Sequence, residues 1–143
     1  MKFWDTSAII PILVEEQGSE IVDKIFSADS EMIVWWGTSI ECVSAISRLE
    51  RENKLSSDEQ GVIIARLNNL RQYWREIQAT PLVKQLAERI LQVHPLRSQD
   101  AQQLAACLIA NQDTQIEFVT LDQRLAVAAR KEGLSLRFTS QSQ

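Results

Sequence analysis

Short apolar segments alternate along the chain with longer stretches in which apolar residues recur at helical spacing. The short segments "KFW", "MIVWW", "EIQA", "IEFVT" and "LSLRF" predict five strands. "MIVWW" is apolar throughout, which is typical of a strand buried on both faces of a sheet. Because the strands are separated by helices, the pattern predicts an α/β fold in which helices cover both faces of a central, mainly parallel sheet.

Seven segments predict helices from their apolar periodicity and from start and stop signals. Ser57 and Gln60 have the spacing of a capping box, and Gly133 is placed to end the last long helix. The first predicted helices run from Ser7 to Val14, over "SEIVDKIF" with Ser19 as cap, and to about Glu52 with Thr38 or Ser39 as cap. The others run from Ser57, from Thr80 and Pro81 to the residue before Pro95, from Ser98, and from Asp122 to Glu132.

The length of 143 residues predicts a single domain over 1–143, with the last five polar residues frayed. Hydrophobic residues make up 45% and charged residues 24%, as in an ordinary globular protein. The run "AIIPILV" is too short to span a bilayer, and the start "MKFWD" lacks the apolar segment of a signal peptide. We therefore expect a cytoplasmic protein without a membrane span.

Two further features of composition limit the function. Cys42 and Cys107 lie in apolar helical segments without CxxC spacing, which predicts two buried free thiols. The formal net charge of −4 argues against a protein that binds nucleic acid through bulk charge alone. It does not exclude a nuclease that uses metal ions to neutralise its own carboxylates.

Four acidic residues fall at predicted strand ends or helix starts. Asp5 follows the first strand, Glu41 and Asp100 lie in first helical turns, and Asp122 follows "IEFVT" and opens a helix. Sites in open parallel sheets form beyond the carboxyl ends of the strands, so these acids can converge on one edge. Oxygen ligands without histidine or cysteine favour Mg²⁺ or Mn²⁺, ions that promote phosphodiester cleavage.

An ordinary structural role is the alternative for each of these acids. Glu41 and Asp100 fit a first helical turn through the helix dipole, and Asp122 fits an N-cap. Spacing alone therefore leaves a shared metal site and separate caps equally open. Asp5 is the least ordinary, because apolar residues flank it and a buried carboxylate needs a partner, a proton or a metal.

Four stretches of the chain resemble the motifs of PIN-domain proteins. They are "FWDTSAII", "TSIECVSAISRL", "HPLRSQDAQQLAACLIA" and "FVTLDQRLAVAARKEGL", which occur in the family's order and cover nearly the whole chain. The resemblance is greatest to the compact VapC-type toxins of toxin–antitoxin pairs. It implies a three-layer sandwich with a central sheet of about five short strands, and a metal-dependent endoribonuclease activity.

The resemblance also implies roles for individual residues. Asp5 and Asp100 would be the principal ligands of Mg²⁺ or Mn²⁺, and Glu41 and Asp122 would support them and orient water. The remaining roles are hydrogen-bonding support from Thr6, Ser7 and Thr120, and contact with RNA from Arg97. Some relatives carry a further acid shortly after the position of Asp122, whereas this chain continues "QRL", which puts a second metal site in doubt.

The implied partners are an RNA substrate, a cognate antitoxin and a second copy of the chain. The apolar residues of "SAIIPIL" and of the Ile63–Trp74 segment are candidates for the homodimer contact. His94, the only histidine, is a weak candidate for a catalytic base, and Trp36 remains open as a base-stacking residue.

Three other functions compete with the nuclease. A non-catalytic PIN module that binds RNA or a protein would have no need of four converging acids. A phosphatase of the haloacid dehalogenase type needs a second acid where this chain has Ser7. A response-regulator receiver domain would need an acidic pair before its strand-end Asp and a later lysine after a strand, and neither is evident.

Overall fold

A computed structural model describes residues 1–138, so the predicted fraying of the last five residues lies outside the described residues. Residues 1–138 form five strands: β1 (Lys2–Trp4), β2 (Met32–Trp35), β3 (Arg75–Ile77), β4 (Glu117–Thr120) and β5 (Ser135–Phe138). They also form seven helices: α1 (Thr6–Leu13), α2 (Ser19–Ala28), α3 (Thr38–Arg51), α4 (Ser57–Arg71), α5 (Pro81–Val93), α6 (Ser98–Asp113) and α7 (Gln123–Lys131).

The five strands make one parallel sheet in the order β3-β2-β1-β4-β5. The first strand is central, since Phe3 pairs with Ile33 of β2 on one side and with Phe118 of β4 on the other. The predicted parallel α/β sheet is confirmed. Its carboxyl edge carries the chain from β1 into α1, from β2 into α3 and from β4 into α7.

Helices cover both faces of the sheet. Phe3 belongs to the buried cluster that includes residues of α5, α6 and α7, whereas the next residue, Trp4, belongs to the cluster that includes residues of α1 to α4. Successive strand residues point to opposite faces of a sheet, and both of these side chains are fully buried, so both faces are covered. The predicted three-layer sandwich is therefore confirmed.

Three predicted helix caps are displaced. At α3 the N-cap is Gly37, the residue before the predicted Thr38 or Ser39. The capping box of α4 joins Ser56 and Glu59, not Ser57 and Gln60: the Glu59 N–H donates to Ser56 Oγ at 3.1 Å and the Ser56 N–H donates to Glu59 Oε1 at 2.8 Å. At α2 the N-cap is Gly18, whose φ of 95° suits glycine. Ser19 is instead buried, and its hydroxyl donates to the carbonyl of Pro11 at 2.7 Å.

The core uses residues that had other possible roles. Cys42 and Cys107 are buried and free, as predicted, and burial raises the pKa of the Cys42 thiol to about 12. Most apolar residues suggested for a dimer contact lie inside the single chain: they include Ile9, Ile10, Leu13, Ile63, Leu67 and Trp74. These buried side chains cannot supply an interface.

Among the helices that the structure describes, none is both long enough and apolar enough to cross a membrane.

Candidate functional site

The four predicted acids line one cavity of about 230 Å³ at the carboxyl edge of the sheet. Asp5 comes from the end of β1, Glu41 from the first turn of α3, Asp100 from the first turn of α6 and Asp122 from the N-cap of α7. The polar groups that line the cavity with them include Thr6, Ser7, Arg48, Arg97 and Gln103. The fold thus brings together residues from four separate segments of the chain.

Asp5 is buried, with only 4% of its surface exposed. It occupies the N-cap position of α1, yet its side chain makes no capping hydrogen bond. Instead, the Ser7 hydroxyl lies 2.9 Å from Oδ1 and 3.0 Å from Oδ2, and Ser7 Oγ accepts the Leu121 N–H at 3.0 Å. No ion pair involves Asp5 within residues 1–138.

Burial raises the pKa of Asp5 to about 7. Hydrogen bonds from the Ser7 and Thr120 hydroxyls oppose the rise, and the charge of Asp122 adds to it. The Asp5 carboxyl is therefore held by neutral donors that do not offset the loss of hydration. A cation beside it would favour its charged form.

Glu41 is held at the other side of the cavity by Thr6 and Gln103. The Thr6 hydroxyl donates to Glu41 Oε1 at 2.9 Å, and Gln103 Nε2 lies 3.3 Å from each carboxylate oxygen. Burial raises the pKa of Glu41, the hydrogen bonds from Thr6 and Gln103 lower it, and the charge of Asp100 raises it further.

Asp100 and Asp122 also have the ordinary roles considered above. Asp122 Oδ1 accepts the Leu125 N–H at 3.0 Å and so caps α7, while the Asp122 N–H donates to Thr120 Oγ1 at 3.0 Å. Asp100 lies 3.5 Å from the Arg97 guanidinium, whose side chain is 80% exposed. Capping therefore explains the position of Asp122 at the start of α7, but it does not explain why Asp122 lines a cavity with three other acids.

The donor set fits a hard divalent cation. Carboxylates, hydroxyls and the amides of Gln99 and Gln103 line the cavity, and no histidine or cysteine does so. Within residues 1–138, however, no three His, Cys, Asp or Glu side chains are grouped closely enough to hold a metal ion. The acids surround the cavity without closing around one point, an arrangement that repulsion between like charges favours.

Gln103 is the buried residue of this site that sequence analysis missed, beside Ser44 and Gln99, which also line the cavity. Gln103 follows Asp100 by three positions on α6 and therefore lies on the same helix face. Its neighbours Ala101, Leu104 and Ala105 are fully buried apolar residues. A glutamine inside that apolar stripe was the available signal.

Other candidates lie away from the cavity. His94 Nε2 is 2.6 Å from Glu132 Oε2, so the histidine belongs to a contact between the ends of α5 and α7. Trp36 is 46% exposed and does not line the cavity. A larger cavity, of about 640 Å³, is lined by Trp35, Pro81 and other mainly apolar residues, and Glu88 is its single acid.

The fold is shared with solved structures at low sequence identity. A structure of the sarcin–ricin loop cleaving toxin VapC20 from Mycobacterium tuberculosis matches with a TM-score of 0.67 and 14% identity, covering 90% of this chain and 95% of that one. FitAcB from Neisseria gonorrhoeae matches with a TM-score of 0.67 and 16% identity over 97% of each chain. PAE2754 from Pyrobaculum aerophilum matches with a TM-score of 0.64 and 16% identity, covering 94% and 82%.

These likenesses confirm the predicted PIN-like, VapC-like fold. No protein-family model matches the chain, and no curated protein matches it in sequence. Roles are therefore assigned to individual residues from the geometry of the cavity alone.

Proposed function

We propose that the protein is a metal-dependent endoribonuclease that cleaves RNA phosphodiester bonds, and that it is the toxin of a VapC-type toxin–antitoxin pair. One observation carries the proposal: four acids from four segments line a single cavity, and the most buried of them, Asp5, has no cationic partner among residues 1–138. The shared fold with a structure described as a sarcin–ricin loop cleaving toxin supports the choice of RNA.

In this proposal Asp5 and Asp100 are the principal ligands of Mg²⁺ or Mn²⁺, with Glu41 and Asp122 in support. When bound, such an ion polarises a phosphoryl oxygen and lowers the pKa of water. The hydroxyl of Ser7 orients the Asp5 carboxylate, and the hydroxyl of Thr6 orients that of Glu41. The Thr120 hydroxyl links the residues around Asp5 to Asp122: it lies 3.3 Å from Ser7 Oγ and accepts the Asp122 N–H.

Arg48 and Arg97 are the cationic residues of the cavity wall. Both are exposed, so their guanidinium groups are available to RNA phosphates beside the acids. This placement answers the electrostatic difficulty of a chain with net charge −4, because the phosphate meets local positive charge at the cavity.

The antitoxin partner, the homodimer and the cytoplasmic location belong to the same proposal. Light scattering at micromolar concentration tests the homodimer directly, and a chain that remains monomeric without a partner contradicts it. Co-purification with the product of an adjacent small reading frame tests the antitoxin.

The central experiment measures cleavage of a structured RNA with Mg²⁺ or Mn²⁺, with and without EDTA. The parent should cleave with the metal, and EDTA should stop it. Asp58→Asn is the matched control for Asp5→Asn, because Asp58 is exposed in the first turn of α4 and does not line the cavity. Cleavage that persists in EDTA contradicts metal dependence.

A second function is a PIN module that binds RNA without cleaving it. The absence of a three-residue metal cluster within residues 1–138 favours it. Filter binding with the same RNA separates the two functions: the module retains RNA with EDTA present and produces no fragments when metal is added.

A further inference from the structure

Gln103 connects three elements of the acidic cavity through one side-chain amide. Its Nε2 lies 3.0 Å from Thr38 Oγ1, 3.3 Å from Thr6 Oγ1 and 3.3 Å from each oxygen of Glu41. From α6 it therefore reaches the first residues of α1 and α3 and the carboxylate one turn into α3. Gln103 is itself only 2% exposed.

These neighbours fix the orientation of the amide. All four atoms around Nε2 are oxygens, and two of them belong to a carboxylate, which only accepts hydrogen bonds. An amide turned the other way would place its oxygen against them. The Thr6 hydroxyl donates to Glu41 and can accept from Gln103, so the amide acts on Glu41 directly and through Thr6.

The same side chain has an unfavourable half. Gln103 Oε1 is buried and has no hydrogen-bond partner among the described residues. A buried polar atom without a partner destabilises a fold, because the hydrogen bonds it made to water are not replaced. Leucine has nearly the same size and carries no such atom, so packing alone does not account for glutamine at this position.

We infer that Gln103 is a positioning residue that holds the Glu41 carboxylate at the wall of the cavity, an inference that rests on the proposed metal-dependent nuclease. Without the amide, Glu41 keeps one donor, Thr6, and gains freedom to turn towards solvent. Mutation of a residue that hydrogen-bonds a metal ligand typically lowers metal affinity or activity by about 10–100-fold. We therefore expect the loss of the Gln103 amide to change metal binding and not the fold.

The test compares Gln103→Leu with Gln102→Leu. Gln102 precedes Gln103 on α6 but lines the larger apolar cavity, so it controls for the loss of a glutamine from this helix. Three quantities are measured for each variant and the parent: the Mn²⁺ Kd by calorimetry, kcat and KM for RNA cleavage, and the melting temperature in EDTA.

Gln103→Leu should weaken Mn²⁺ binding and lower kcat, each by about tenfold or more, while KM changes by less than about twofold. Its melting temperature should stay within about 4 °C of the parent, since the unpartnered oxygen is removed with the amide. Gln102→Leu should match the parent in Mn²⁺ affinity and kcat.

The two proposals fail in different ways. A parent that neither binds Mn²⁺ nor cleaves RNA defeats the proposed function. A parent that does both, beside a Gln103→Leu variant with unchanged Kd and kcat, overturns the role of Gln103 alone. A variant that loses activity only in proportion to a large fall in melting temperature shows a structural role and also overturns the inference.

A measurement on the parent background covers the case in which Gln103→Leu fails to fold. The side-chain amide resonances of Gln103 should shift in Glu41→Gln and stay in place in Asp58→Asn. Unmoved resonances in Glu41→Gln show that the amide does not act on Glu41 and overturn the inference without any use of metal or RNA.

Discussion

Asp5 and Glu132 are two acids withdrawn from solvent in opposite circumstances. Glu132 accepts from the Arg89 guanidinium at 2.8 and 3.3 Å, and its Oε2 lies 2.6 Å from His94 Nε2. These contacts, with Arg89 first, hold the pKa of Glu132 below its usual range. Asp5 has hydroxyl donors and no cation among residues 1–138, and burial raises its pKa to about 7.

The difference separates a structural acid from a functional candidate. The charge of Glu132 is compensated within the chain, so its contacts serve to join the ends of α5 and α7. The charge of Asp5 is not, and a buried carboxylate without compensation is costly for folding. Strongly shifted acids in a cavity are therefore candidates for function on physical grounds.

The largest expected effect is on cleavage by Asp5→Asn. The substitution keeps the shape of the side chain but removes the charge that would hold the ion, so the rate should fall by at least about a thousandfold. Glu132→Gln should cleave within about twofold of the parent, since Glu132 does not line the cavity. Quantitative RNA cleavage assays measure both, and an active Asp5→Asn variant would remove Asp5 from the mechanism.

The next effect is on stability in EDTA. The pKa of Asp5 is about 7 in the fold, against an ordinary value of 3.8. The contribution of the Asp5 carboxyl to the free energy of unfolding is therefore fully present below pH 3.8 and is lost as pH rises through 7. The loss corresponds to up to about 4 kcal/mol. Asp5→Asn should thus be more stable than the parent at about pH 8, with a smaller advantage at about pH 5. Urea unfolding at both pH values measures this, and a difference that does not change with pH contradicts it.

Glu132→Gln should change stability by a smaller amount than Asp5→Asn and in the opposite direction, as a loss. The His94 side chain is only 5% exposed, so removing its charged partner should cost about 2 kcal/mol at neutral pH. Because the pKa of Glu132 is lowered in the fold, its contribution is present above the usual glutamate pKa and is lost on acidification. Urea unfolding at neutral and acid pH should show the deficit shrink as pH falls, opposite in sense to Asp5.

The smallest effect should come from Arg89→Gln. The Arg89 side chain is 48% exposed, and an exposed ion pair contributes about 0.5 kcal/mol. A thermal melt beside that of Glu132→Gln ranks the two partners of the glutamate. A loss as large for Arg89→Gln as for Glu132→Gln would mean that the exposed guanidinium, and not His94, holds this contact.

Much of the site could be predicted because the topology of a parallel sheet determines where strand ends meet. Asp5 and Asp122 follow strands that proved to be neighbours, and Glu41 follows the strand on the other side of β1. The predicted caps at α2, α3 and α4 were wrong by one or two residues, because adjacent serines or a glycine offer equivalent local signals. Two contacts were missed because their partners are distant in sequence. Gln103 lies 62 positions from Glu41, and His94 lies 38 positions from Glu132.

The central position of β1 also determines when the acidic cavity at the carboxyl edge of the sheet can form during synthesis. Trp4 pairs with Val119, and the Ser7 hydroxyl that supports Asp5 is held by the N–H of Leu121, 114 positions later. The first strand leaves the ribosome long before its second neighbour is made, and contacts of such long range form late in folding. An incomplete nascent chain carries Asp5 without the acidic cavity, which exists only once Asp100 and Asp122 have been translated.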